Sequence, residues 1–289
     1  MKVGIGLPST SPGIRGSLNL DWARQAEAGP FSSLGVIDRI VYPNFEPLIT
    51  LAAVAGVTSR IRLMTTVLLA PLRNTGVLAK QAASLDAISG GRLTLGLGIG
   101  GREDDFLAAP ATFQKRGKHF DEQLELMARI WSGQVLSEKV GPIGPAPVQP
   151  GGPEILLGGY TPAALDRLGR RGHGFISGGV PPEQAGQLFR MAEAAWQKAG
   201  RAGKPRLVGC TYYALGPAAA EGIASYIGTY YAFMGPTMVQ QMVQSFPATA
   251  EAVRTTLQKF SDAGADEVIL WPCIPQLDQV DRLAEIVGR

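Results

Sequence analysis

Few side chains in this 289-residue sequence are equipped for chemistry on their own, and the best-placed candidates act through the backbone. In Gly158-Gly159-Tyr160-Thr161-Pro162, two glycines follow an apolar run and lead into the helical segment Ala163 to Arg171. Free N–H groups and the positive end of a helix then face one point, an arrangement that suits a phosphate. An ordinary turn with a threonine cap and a proline in the first helical turn has the same sequence and needs no ligand, so both readings stand at this stage. Ser177-Gly178-Gly179, after the next apolar run, makes a second small turn that neighbouring strands would bring beside the first. Other chemistries lack their parts. There are two histidines, His119 and His173, both expected to be structural or on the surface, and no His-x-x-x-His, carboxylate cluster or glycine-flanked serine elbow. Metal sites and serine hydrolases need several such groups together. Gly96-Leu97-Gly98-Ile99-Gly100-Gly101 has G-x-G-x-x-G spacing, with Asp121 about twenty residues on. A dinucleotide site requires the last glycine to open a helix, whereas the sequence predicts a long loop from Arg102 to Gly117. What remains is glycine, hydroxyl and backbone around apolar surface, which suits a bound cofactor that carries the chemistry.

These residues need a frame, and the frame is rhythmic. Eight short apolar runs alternate with helical periodicity: Lys2–Pro8, Ser33–Asp38, Ile61–Leu69, Leu93–Gly98, Glu154–Gly158, Gly174–Ser177, Arg206–Leu215 and Glu267–Pro272. Runs without polar alternation mark strands covered on both faces, the condition of a parallel sheet wrapped by helices. Eight units at this length predict one α/β domain over residues 1–289, a (β/α)8 TIM barrel with an extended loop after strand four and a helical insertion from Ala218 to Phe246. Helices are predicted from Glu46-Pro47, from Thr75 to Ile88 before Ser89-Gly90-Gly91, and from Lys118 to Trp131, where Phe120, Leu124, Met127 and Trp131 form one apolar stripe. Gly141 to Pro153 holds five prolines and four glycines and is read as an extended connection. In such a barrel function gathers at the carboxyl ends of the strands. Those ends carry Leu7-Pro8-Ser9, Asp38-Arg39, Thr65-Thr66, Gly98 to Gly101, Gly158 to Thr161, Ser177-Gly178 and Trp271-Pro272.

Bulk properties narrow the partners. A net charge of +3, with 27 scattered Lys and Arg, argues against nucleic acid. No apolar stretch approaches the roughly 18 residues of a membrane span, and the sequence enters a strand at once, so no membrane partner and a cytoplasmic location are expected. Cys210 and Cys273 have no Cys-x-x-Cys pairing and are expected to be reduced core residues.

Several ordered stretches resemble the bacterial luciferase-like monooxygenase superfamily of flavin- and deazaflavin-dependent oxidoreductases. They are Val67 to Gly98 with its LD-x-x-SGGR turn, Phe120-Asp121-Glu122 through Trp131, Leu156 to Leu165 (LLGGYTPAAL) and Asp262 to Pro272 (DAGADEVILWP). The resemblance implies an FMN-dependent monooxygenase that uses reduced flavin and O2 on a small organic substrate, with a separate reductase supplying reduced flavin. A deazaflavin (coenzyme F-420) hydride-transfer enzyme is the alternative, and a non-catalytic flavin-binding homologue a further one; a phosphate-binding lyase would want a lysine or glutamate base that no strand end supplies. It also implies a homodimer, with the insertion over the mouth or at the dimer surface. By the same resemblance, Thr65-Thr66 would form a bulge with a non-prolyl cis peptide under the ring. Asp38 and Arg39 would meet the ring or substrate, with Arg39 where many relatives have histidine and unable to shuttle protons near neutral pH. Asp104 would contact the ring from the loop after strand four, with Glu103 beside it as another proton donor. The phosphate would rest on Gly158, Gly159, Tyr160 and Thr161 with Ser177 and Gly178, near Gly98, while Ile99 replaces a basic phosphate ligand. Leu7, Leu68, Phe106, Tyr230, Phe233 and Trp271 would exclude water from the pocket.

Overall fold

The computed structural model describes residues 1–288; Arg289, the last residue of the predicted domain, lies outside the described residues. Its strands are β1 (Lys2–Gly6), β2 (Ser33–Val36), β3 (Arg62–Leu69), β4 (Leu93–Gly98), β5 (Glu154–Gly158), β6 (Gly174–Gly179), β7 (Arg206–Tyr213) and β8 (Glu267–Pro272). All neighbours pair in parallel and β8 returns to β1, so the sheet closes as an eight-stranded barrel. The wall helices are α1 (Gly16–Ala28), α2 (Pro47–Ala55), α3 (Thr75–Ile88), α4 (Glu103–Ala108), α5 (Arg116–Trp131), α6 (Pro162–Arg171) and α7 (Pro182–Lys198). After β7 come α8 (Ala219–Tyr230), α9 (Pro236–Ser245) and α10 (Ala250–Asp262), and α11 (Asp278–Val287) follows β8. Among the described residues no helix is long and apolar enough to cross a membrane.

Local chemistry accounts for the element ends. Glu46 caps α2 by accepting from Ile49 N–H at 2.7 Å with Pro47 in the first turn, and Asn74 caps α3 through Val77 N–H. Gly90 and Gly91, at φ 65° and 81°, turn the chain away from α3. The stripe Phe120, Leu124, Met127 and Trp131 is buried against the wall. Asp86 on α3 is fully buried and accepts from Val148 N–H at 2.8 Å and Gln149 N–H at 3.0 Å, which pins the proline-rich connection. Arg206 bridges Glu154 and Glu267 at the amino end of the barrel and, with Arg62 near Glu154, closes the floor with paired charge. Cys210 and Cys273 are buried free thiols.

Four expectations need correcting. β1 and β2 stop at Gly6 and Val36, short of Pro8 and Asp38, because Pro8 lacks an N–H and opens a 3-10 turn while Asp38 turns its carboxylate into the frame. β6 runs on to Gly179 and β7 stops at Tyr213. The stretch 102–117 is not a continuous loop, since α4 forms at its start with Glu103, Asp104 and Asp105 in the first turn. Three carboxylates there suit the helix dipole and repel a pyrophosphate, so the dinucleotide reading fails on charge even though a helix does follow the glycines. The cis peptide joins Thr66 and Val67, one residue later than expected, inside the register shift between Thr65 and Leu68.

Candidate active site

The carboxyl rim of the barrel divides into a braced side, an aromatic side and an open side. Bracing comes from the two acidic candidates. Asp38 is buried and takes both nitrogens of Arg73, at 2.6 and 3.2 Å, plus Leu69 N–H at 2.8 Å. Burial pushes its carboxyl above the ordinary value, and the Arg73 charge works against that push. Arg39, also buried, donates to Asp104 at 2.9 Å, to Asp105 at 3.1 Å and to Val41 O at 2.8 Å. Asp105, the buried member, also receives Ile40 and Val41 N–H at 3.0 and 2.8 Å. Asp38 thus ties the end of β2 to the end of β3, and Arg39 ties the loop after β2 to α4. Both carboxylate sets are engaged by arginines, Asp104 with its side chain 51% exposed; Glu103 is exposed at the start of α4.

At the bulge, Thr65 Oγ1 donates to Gly96 O at 2.7 Å and Thr66 Oγ1 to Val36 O at 3.0 Å, so both hydroxyls are spent between strands. Val67, only partly buried, is the side chain turned to the rim: a Cβ on Gly98 would stand 2.9 Å from Val67 Cγ2, and one on Gly158 3.4 Å from Cγ1. Gly98 is therefore roofed by Val67. Val67 is a site residue that the sequence did not single out; its closeness to Gly98 and Gly158 places it there.

The open side lies at β5 and β6, where the two glycine turns come together. Thr161 caps α6 by accepting from Ala164 N–H, and Pro162 occupies its first turn. Gly159 has φ 146°, and a Cβ there would meet Ala164 Cβ at 2.6 Å, so only glycine fits. Gly178, at φ 70°, faces Tyr160, whose hydroxyl donates to Ser177 O at 2.8 Å. The Tyr160 ring lies exposed while its hydroxyl is tucked inward, where burial pushes the phenol up to about 12. Ser177 is buried, with its hydroxyl committed to Gly178 O and Cys210 N–H. Of this set, Gly158, Gly159 and Thr161 present backbone outward. Among the described residues no Lys or Arg hydrogen-bonds to either turn; Arg102 donates to Tyr230 O, and Arg116 to Gly100 O and Phe113 O.

Aromatic side chains fill the β7, β8 and β1 side. Trp271 packs 4.9 Å from Tyr212 and donates Nε1–H to Thr66 Oγ1 at 3.1 Å. The insertion adds Tyr226, Tyr230 and Tyr231 from above, with Tyr212 OH 3.0 Å from Tyr231 OH and Thr10 Oγ1 2.6 Å from Tyr226 OH. Arg102 lies 3.9 Å from the Phe233 ring centroid and 4.8 Å from that of Tyr230, linking the loop after β4 to the insertion. Of the six residues expected to dry the pocket, Tyr230 and Trp271 belong to this cluster. Leu7 and Leu68 lie in the outer core between strands and helices, Phe106 packs on Phe113, and Phe233 is 60% exposed. His119 is exposed beside Glu122, and His173 accepts Ile155 N–H on Nδ1. Among the described residues no three His, Cys, Asp or Glu side chains gather as a metal site.

A phosphate-tailed ring cofactor fits the open side. The turn at Gly158 and Gly159 is a cradle that a Cβ would fill, Ala163 N–H is left free at the start of α6 while Ala164 and Leu165 bond Thr161, and Val67 gives an apolar platform beside them.

Comparison with known proteins agrees with this frame. An uncharacterised protein of Mycobacterium tuberculosis is 31% identical over 208 residues, 62% of this chain and 71% of its own length. The crystal structure of the monooxygenase RslO1 from Streptomyces bottropensis superposes with a TM-score of 0.81 at 22% identity, covering 99% of this chain and 97% of that one. An F420-dependent secondary alcohol dehydrogenase, solved with an F420-acetone adduct, also gives 0.81, at 18% identity over 100% of this chain and 99% of the other. At these identities the two structures speak for the fold. The family described as luciferase-like monooxygenase matches residues 1–270. With its closed barrel, bulged third strand and glycine rim, the chain belongs to that luciferase-like monooxygenase family.

Proposed function

We propose that this protein is an oxidoreductase that exchanges a hydride between a bound deazaflavin of the F420 type and a small, uncharged organic substrate. The observation that carries the choice of ring is the charge at the anchor. A dianionic phosphate monoester, as in FMN, calls for a cation, whereas the anchor offers backbone N–H groups and the roughly half charge of a helix end. A phosphodiester carries one negative charge and matches that supply. In this reading Gly158, Gly159, Tyr160 and Thr161 hold the tail, with Ser177 and Gly178 shaping the seam beside them. Thr65, Thr66 and Val67 support the ring, with Gly98 giving Val67 its room. Asp38, Arg39 and Asp104 keep the walls in place instead of transferring protons. The bound deazaflavin supplies reversible hydride exchange without O2.

FMN-dependent monooxygenation is the second reading, favoured by the dry aromatic wall of Tyr212, Tyr226, Tyr230 and Trp271, which suits an oxygen-derived species that water would destroy. Separate fluorescence titrations of the purified protein with F420 and FMN decide between them. At least tenfold tighter F420 binding, weakened by Gly159→Ala, supports the proposal. Tighter FMN binding together with O2 consumption by the reduced complex supports the second reading, and binding of neither ring removes both.

A further inference from the structure

We propose that Met242 is a peroxide-sensitive modification site: oxidation of its thioether to the sulfoxide releases α9 from the aromatic side of the rim. The inference goes beyond the proposed reaction and holds whichever ring the rim binds.

The first observation is how α9 is held. Residues 222–250, which include it, contain no Asp, Glu, Lys, Arg or His, so no ion pair fastens it to the barrel. None of its residues is fully buried, and Ser245 Oγ donates to Met242 O at 2.8 Å, within the helix itself. Its attachment is apolar. Val239, Met242 and Val243, partly buried and three and four positions apart on one face, pack against the cluster that contains Tyr212, Tyr226, Tyr230 and Trp271. Gly235 at φ 82° and the buried Phe246 bracket the helix. A segment with so few buried apolar contacts opens at low free energy while the rest of the domain stays folded.

The second observation is where the methionines lie. Three of the seven fall within nine residues, at 234, 238 and 242. Met234 and Met238 are 42% and 43% exposed, and Met238 stands one turn before Met242 on α9. Met64 and Met127 are fully buried, and Met191, 44% exposed, lies on α7. The oxidant is hydrogen peroxide. The thioether sulfur gives an electron pair to one peroxide oxygen, the O–O bond breaks, an S–O bond forms and the second oxygen leaves as water with both protons; sulfur loses two electrons and peroxide gains them. An apolar side chain thereby becomes polar. Met234 and Met238 already face solvent, so their oxidation leaves the attachment intact. At Met242 the new polar group sits on the face that holds α9 down, and its hydration favours the state in which that face meets water.

Hydrogen peroxide treatment of the purified full chain, followed by peptide mass mapping and hydrogen-exchange mass spectrometry, tests the inference. Met234, Met238 and Met191 are expected to convert first, with exchange in α9 unchanged. Conversion of Met242 is then expected to speed exchange of the α9 amides about tenfold and to leave β4 and α7 as they were. Methionine sulfoxide reductases acting on both epimers are expected to restore the slow exchange. The volume-conserving variant Met242→Leu should still oxidise at Met234 and Met238 and keep α9 closed. Four results overturn the site: Met242 surviving peroxide that has converted Met234 and Met238, its conversion leaving α9 exchange unchanged, equal acceleration in Met242→Leu, or α9 amides that are unprotected before treatment. Three of the four are read on the unmodified chain, so they decide the matter even where the variant fails to fold.

Discussion

Arg73→Met tests whether Asp38 is a strut or a proton carrier. Among the described residues Arg73 is the only cation bonded to Asp38, whose side chain is 1% exposed, and its own side chain is 13% exposed. Removing one partner of a buried pair costs about 3–5 kcal/mol; the slight exposure of Arg73 sets the expectation at about 3 kcal/mol. The lost contact with Glu46, which is 43% exposed, adds little. For a chain of 289 residues the unfolding entropy is about 0.6 kcal/mol per degree, so the Tm should fall by about 5 °C. Without the guanidinium, burial drives the Asp38 carboxyl further above 3.8, and the folded chain binds a proton more tightly than the unfolded one. That contribution is fully present below the unfolded value and is lost as pH rises through the folded value, so the penalty should be smaller at about pH 5 than at about pH 8. Denaturant titrations of Asp38→Asn, Arg73→Met and the double variant across this range measure both effects. The double variant should recover about 2 kcal/mol relative to the sum of the single changes. A pH-independent penalty below about 1 kcal/mol, with additive single effects, refutes the strut.

Other changes probe the anchor and the frame. Gly159→Ala places a methyl 2.6 Å from Ala164 Cβ at φ 146° and should weaken ring-cofactor binding at least tenfold, read by fluorescence titration. Glu27 receives N–H groups of Ser59, Arg60 and Ile61, which outweigh burial and hold its carboxyl at about 2, below 4.5. Its stabilisation is therefore present above about pH 4.5 and fades as pH falls toward 2; after allowance for solvent, Glu27→Gln should cost about 1 kcal/mol at neutral pH and nothing in strong acid, checked by urea midpoints. All seven tyrosines have phenols raised above 10 by burial, so tyrosinate absorbance should lag behind free tyrosine near pH 10 until the fold opens; ordinary titration of several phenols in the folded state would contradict the aromatic packing.

The sequence by itself determined the staves and their order. Leu93–Gly98, Glu154–Gly158, Glu267–Pro272 and Thr75–Ile88 begin and end where the pattern says, because apolar run length, glycine breaks and caps act over a few residues. The glycine anchor was legible for the same reason: turn, cap and helix start are contiguous. Tertiary structure alone decided what the charged and aromatic side chains do. Asp38 meets Arg73 35 positions on, Arg39 meets Asp105 across 66, Trp271 meets Thr66 across 205 and Tyr226 meets Thr10 across 216. Local preference is silent at such separations, since these contacts exist only once β2, β3 and α4 come together, β8 closes on β1 and the insertion folds over the rim. The fold gave Asp38 and Arg39 the partners Arg73, Asp104 and Asp105, and it brought Thr10 on the β1 side against Tyr226 of the insertion.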